Sequence, residues 1–172
     1  MAIFTSGVFP SGGEVGDAGG VVQVVKTNRN GEFSFSQSSP SVYQNVLVCP
    51  ITPTKSSNKI LVMASCDGKA SRNSGNHTGE YECWLAYNPN NTSNGGTVTS
   101  WGSTLGMMTG LGAWGHYGEA SIGSYEYKEI HSPNTTSQIH YAIVANRRNQ
   151  SWFNNEYGGN NGTSLVLMEI SS

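Results

Sequence analysis

The chain closes on GTSLVLMEI, residues 162–170, with only Ser171 and Ser172 beyond it. Chain ends usually fray in water, yet this one carries four consecutive apolar residues, Leu165 to Met168, then Glu169 and Ile170. As a strand, alternation sends Leu165, Leu167 and Glu169 to one face and Val166, Met168 and Ile170 to the other. A strand apolar on both sides belongs inside a sheet, with one face in the core and the other against a rim or a neighbouring subunit. Glu169 is expected to emerge at that rim, where water, a lysine or an arginine satisfies it, because a buried unpaired carboxylate is too costly. On that expectation Glu169→Gln costs little.

Working back from this strand, the same alternation recurs. GVVQVVKT (20–27), EFSFS (32–36), VYQNVLVCPIT (42–52), KILVMASC (59–66), EYECWLAYN (80–88), TVTSW (97–101), ASIGSYEYKEIH (120–131) and SQIHYAIVANR (137–147) all read as strands. Asn30-Gly31 is a hairpin-type turn signal. Pro50 and Pro53 confine the end of their strand to an edge or a terminus. DGKASRNSGNHTG (67–79), PNNTSNGG (89–96), the glycine-rich stretch 102–118, SPNTT (132–136) and NQSWFNNEYGGNNG (149–162) read as loops or turns. No segment holds a helical period over three turns, and no repeat of 20–50 residues occurs. Regularly spaced short strands predict a sandwich or a barrel. Residues 1–20, with Gly at 7, 12, 13, 16, 19 and 20, form a flexible arm before a single domain over 21–172.

Composition narrows the function classes. The 172 residues are only 12% charged, with a net charge of -2. The scattered lysines and arginines make no basic stripe, so neither nucleic acid nor an anionic membrane surface is an expected partner. No apolar stretch is long enough to insert in a membrane as a helix, and MAIFTSGVFPSGG lacks a basic n-region, so no signal peptide is expected. The cysteines, Cys49, Cys66 and Cys83, are odd in number and show no metal spacing; they read as buried free thiols. N-x-S/T sequons, as at Asn76, Asn91 and Asn134, reflect a chain rich in Asn and Thr.

Segments 45–49, 60–64, 141–145 and 165–168 are apolar on both faces. A two-sheet sandwich buries one face per strand. The surplus faces need another cover, and symmetric self-association is the simplest source of one.

Four elements in order, the VVQVV strand (21–25), ITPTKSSNKILV (51–62), SPNTTS (132–137) and the closing GTSLVLMEI (162–170), resemble a family of tail-fibre and small virion structural proteins of tailed bacteriophages. The likeness spans about residues 19–170. It implies an all-β protein of the virion surface, without enzymatic activity, that forms a homotrimer with its last strand near the three-fold axis.

Enzymatic alternatives are weaker. Degradation of a surface polysaccharide needs two carboxylates about 5–9.5 Å apart in a cleft. The candidates are Glu80 with Glu82, on one face of a strand, and Glu126 with Glu129. Asp occurs only at positions 17 and 67, too few for a calcium or magnesium cage. His77, His116, His131 and His140 have no metal-ligand spacing, so no metal or other cofactor is expected. There is no G-x-S-x-G elbow, and GGEVGDAGG lacks the lysine of a phosphate loop.

The expectations are therefore an all-β, jelly-roll-like sandwich with a glycine-rich N-terminal arm, trimeric, displayed on a virion assembled in the host cytoplasm. Leu165, Val166, Leu167, Met168 and Ile170 form the core strand and trimer interface. Ile3, Phe4, Val8 and Phe9 lie in the arm that anchors to another virion protein of tail or capsid. Trp101, Trp114, His116, Tyr117, Trp152, Asn154 and Tyr157 offer stacking faces and polar groups suited to a host glycan, or pack as loop anchors and interface aromatics. The function expected is a short tail fibre or fibre tip; the alternative is a head fibre or decoration protein on the capsid lattice.

Overall fold

The computed structural model describes residues 19–29, 33–34, 43–71, 79–99, 101–113, 120–147, 151–153 and 162–172. Among these the chain forms strands and no helix. The strands are β1 (Val21–Arg29), β2 (Phe33–Ser34), β3 (Tyr43–Ile51), β4 (Lys59–Ser71), β5 (Gly79–Pro89), β6 (Thr97–Val98), β7 (Trp101–Ala113), β8 (Ala120–His131), β9 (Ile139–Arg147), β10 (Ser151–Phe153) and β11 (Thr163–Ile170).

Two antiparallel sheets pack face to face. One has the order β1-β11-β4-β8, with short β10 and β2 continuing along β4 beyond the reach of β11 and β1. The other has the order β6-β3-β9-β5-β7. The first long strand pairs with the last, and the chain crosses between sheets from β1 to β3, β4 and β5, then from β7 to β8, β9 and β11. This is the expected jelly-roll path. The closing stretch is an interior strand, bonded to β1 on one side and β4 on the other. Its end does not fray, because Gly19 N donates to Ser171 O at 2.9 Å and Ser171 N to Gly20 O at 2.9 Å.

The facing sheets bury one main core. Val46, Leu47 and Ile51 of β3, Ile60 and Val62 of β4, Leu85 of β5, Ile143 of β9, and Leu165 and Leu167 of β11 are all essentially inaccessible. At about 25 cal/mol per Å² of apolar area, such a core is the main source of stability. Tyr141 is buried within it, and its hydroxyl is satisfied by His131 Nδ1 at 2.8 Å. Burial raises the Tyr141 pKa, with Tyr87 adding to the effect. Burial lowers that of His131, against the opposing pull of Glu129. His140 is only half-buried on β9, where its backbone N–H donates to Asn88 Oδ1 at 2.9 Å.

Several loop expectations give way. β7 runs through the glycine-rich stretch read as loop, because its partner β5 absorbs the irregularity in register shifts at Cys83/Trp84 and Leu85/Ala86. Glycine is also required there: a Cβ on Gly106 would collide with the Tyr127 ring. Tyr127 reaches across from β8 to donate to Leu105 O at 3.0 Å, tying the two sheets together along that side. β4 continues to Ser71 into the polar segment because β8 pairs with it throughout. The Asn30-Gly31 signal lies outside the described residues, and the strands flanking it pair with β11 and β10 instead of each other. The SPNTTS turn is present, with Asn134 at φ 53° and its Nδ2 donating to Ser132 O at 3.1 Å.

The surplus apolar face of the second sheet is covered by the chain itself, which corrects the expectation of self-association there. Val48, Ala86, Ala142 and Val144 on its outer side form a second buried cluster with Val98 of β6. The segment that carries β6 is clamped to β3. Asn45 Nδ2 donates to Asn91 O at 2.6 Å, Asn45 N to Gly96 O at 2.9 Å, Gly95 N to Asn45 O at 2.7 Å, and Val48 N to Asn94 Oδ1 at 2.8 Å. A Cβ on Gly96 would stand 2.5 Å from the Asn91 amide, which is itself held by Ser93 N and Thr97 O. Gly96→Ala is therefore expected to lower stability by about 1–3 kcal/mol in a urea titration. A loss below about 0.5 kcal/mol would mean that the clamp yields freely.

Candidate functional site

The matched registers of β1, β11, β4 and β8 line up residues in rows across the first sheet. On its inner face, Val25, Leu167 and Val62 are successive neighbours, as are Thr27, Leu165 and Ala64. The row at the strand ends is different: Gln23, Glu169, Ile60 and His131.

Glu169 is fully buried, not placed at a rim as its position near the chain end suggested. Its Oε1 accepts from Thr54 N at 2.7 Å, Thr54 Oγ1 at 2.8 Å and Asn58 Nδ2 at 2.6 Å, and its Oε2 accepts from Gln23 Nε2 at 2.5 Å. Gln23 Nε2 also reaches Thr52 O at 2.8 Å, and Asn58 is itself buried. Burial raises the pKa of this carboxyl, but the hydrogen bonds from Asn58, Gln23 and Thr54 outweigh it and hold the value at about 2. The ionised form is the one the surroundings favour. A carboxylate this fully accepted and this acidic has no use as a proton donor or acceptor near neutral pH. Its role is to fix the β3–β4 turn and the first strand to the last. The donors are all neutral, which is why a search for a lysine or arginine partner misses them.

Among the described residues, the outer face of the same sheet carries exposed apolar surface. Val24, Met168, Leu61 and Ile130 are direct neighbours across four strands. Val24 and Ile130, at the two ends of this row, are 54% and 57% exposed, and Val21 and Val22 are exposed beside them. The next row is Lys26, Val166, Met63 and Lys128, and the one after it is Asn28, Ser164, Ser65 and Glu126. The face thus grades from apolar at the Glu169 end to polar, where Ser65 Oγ and Ser164 Oγ bond at 2.9 Å and Glu126 pairs with Lys128 at 3.4 Å.

The residues proposed for the last strand therefore divide. Leu165 and Leu167 are buried in the chain's own core, while Val166, Met168 and Ile170 are half-buried on the outer face. Leu165 and Leu167 accordingly leave the set available to a partner. The proposed carboxylate pair Glu126 and Glu129 lies on opposite faces of β8, opposite Ser65 and Val62 respectively, and cannot act on one substrate atom. Glu80 and Glu82 lie on β5. Among the described residues no group of three His, Cys, Asp or Glu stands together as a metal site.

The aromatics proposed for glycan contact are only partly described. Trp101 opens β7 opposite Pro89, and Trp152 lies in β10 between Lys69 and Ser34, so both belong to strands and stand at opposite ends of the sandwich. Trp114, His116, Tyr117, Asn154 and Tyr157, and the arm residues Ile3, Phe4, Val8 and Phe9, lie outside the described residues. No protein-family model matches this chain, and no curated protein sequence matches it.

Proposed function

We propose that this protein is a non-enzymatic structural component of a bacteriophage particle surface, of the short tail-fibre or fibre-tip type, working as a homotrimer that contacts host surface glycan. The observation that carries self-association is the outer apolar row Val24-Met168-Leu61-Ile130. The inner face beneath it is packed, and the outer-side residues Val48, Ala86, Ala142 and Val144 of the opposite sheet are buried in a cluster with Val98 of β6. Exposed contiguous apolar surface of this kind marks an interaction site, and the flanking Lys26, Lys59 and Lys128 supply the polar rim that interfaces have.

The virion setting rests on the resemblance. It is supported by where the resembling residues sit: Gln23 of the first element, Thr54 and Asn58 of the second and Glu169 of the last meet at one carboxylate. The likeness thus lies in the residues that frame the fold. Light scattering of the purified chain at micromolar concentration is expected to give three times the 18.3 kDa chain mass, and antibody to the chain is expected to label tails of intact particles. A monomer would sink the trimer, and particles without label would sink the virion assignment.

A further inference from the structure

We propose that Cys66 and Cys83 form an oxidisable dithiol that closes a disulfide between the two sheets. Cys66 stands on β4 and Cys83 on β5, so the pair spans the core from one sheet to the other. Both are fully buried, and their sulfurs are in contact at 3.7 Å. A disulfide bond is about 2.05 Å long, so the sulfurs must close by about 1.7 Å. Closure calls for side-chain rotation and an approach of β4 and β5, whose buried sulfurs already touch across the core. The third thiol, Cys49, lies on β3 and bonds with Thr27 of β1, apart from this contact.

The chemistry needs only hydrogen peroxide as oxidant. One cysteine attacks as thiolate on a peroxide oxygen, the O–O bond breaks, and a sulfenic acid and water result. The second thiolate then attacks the sulfenic sulfur, the S–O bond breaks and a second water leaves. Two thiol protons and two electrons pass to the peroxide, which ends as two waters. Because both sulfurs are buried, oxidation waits on local opening of β4 from β5 and is slow. A glutathione-buffered compartment keeps the pair reduced, and an oxidising exterior closes it. The inference stands independently of the virion assignment.

The test is direct. The native protein is treated with a modest excess of hydrogen peroxide, alkylated, digested without reduction and mapped by mass spectrometry. A Cys66–Cys83 linked peptide is expected as the main product, with Cys49 alkylated. The bond spans 17 residues of sequence, and closing a loop of that length is expected to raise the melting midpoint by about 6–12 °C, reversibly on adding a dithiol reductant. Cys49→Ala should behave as wild type in both readouts. Oxidised wild type in which Cys66 and Cys83 both remain alkylatable, or in which either links to Cys49, would overturn the proposal. So would a linked protein that melts lower than the reduced one.

Discussion

Glu169→Ala is expected to lower the unfolding free energy by about 4 kcal/mol, and Glu169→Gln by about 2 kcal/mol. Alanine removes the acceptor and leaves Asn58 Nδ2, buried, together with Thr54 N, without the oxygen both now reach. Glutamine keeps one oxygen for those donors but turns its NH2 toward Gln23 Nε2, itself a donor only, and a flip of Gln23 to offer its oxygen would give up the bond to Thr52 O. The charge has its own signature in pH. The carboxyl sits at about 2 in the folded protein against 4.5 as its ordinary value. A depressed folded pKa contributes stability above the unfolded value and loses it as pH falls toward the folded one. That difference corresponds to about 3 kcal/mol, and to about 2 once the exposed position of Thr54 is allowed for, since solvent near the site screens it. Denaturant titrations should therefore show wild type exceeding Glu169→Gln at neutral pH, with the gap closing between about pH 5 and pH 2. Equal stability of the two proteins at pH 7 would refute the charge-accepting role.

Alternation made most of this architecture legible. β8 coincides with the segment ASIGSYEYKEIH, and β11 divides its faces as the residue types dictate. The misses share a cause: local sequence does not encode what lies across the sheet. Glycine-rich 102–113 carries little strand propensity, yet β5 on one side and Tyr127 packed over Gly106 hold it extended. Doubly apolar 45–49 and 141–145 gave no hint that residues of both would be buried with Val98 of a distant asparagine-rich segment, because that segment is held by bonds to the Asn45 side chain and the Val48 N–H. Glu169 was misplaced for a similar reason. Its partners Gln23, Thr54 and Asn58 are far away in sequence and carry no charge. The outer row is the reverse case: in doubly apolar 60–64 and 165–168 the outward residues Leu61, Met63, Val166 and Met168 are only half-buried.

Adjacent residues of the last strand should separate folding from assembly. Leu167 is inaccessible and sits between Val25 and Val62 on the inner face. Leu167→Asp places a carboxylate there without the donors that Glu169 enjoys. Lost apolar transfer and an uncompensated charge together exceed about 5 kcal/mol, comparable with the whole stability of a domain. The variant is expected to be insoluble or unfolded by circular dichroism. Met168, one residue on, faces outward between Val24 and Leu61 and is half-exposed. Met168→Asp keeps its charge in reach of water, so it should retain the β spectrum and a cooperative melt within about 1–2 kcal/mol of wild type. What it should lose is the proposed trimer, because a charge set in the middle of an apolar row that self-association would desolvate is repeated at each copy of such an interface. The expected result is therefore a folded monomer by light scattering, with Ile130→Asp at the exposed end of the row giving the same outcome. A Met168→Asp protein that stays trimeric would move the interface elsewhere on the molecule. One that fails to fold would mean that the outer row is packed within the chain, and the distinction between the two faces of β11 would no longer be one between core and partner.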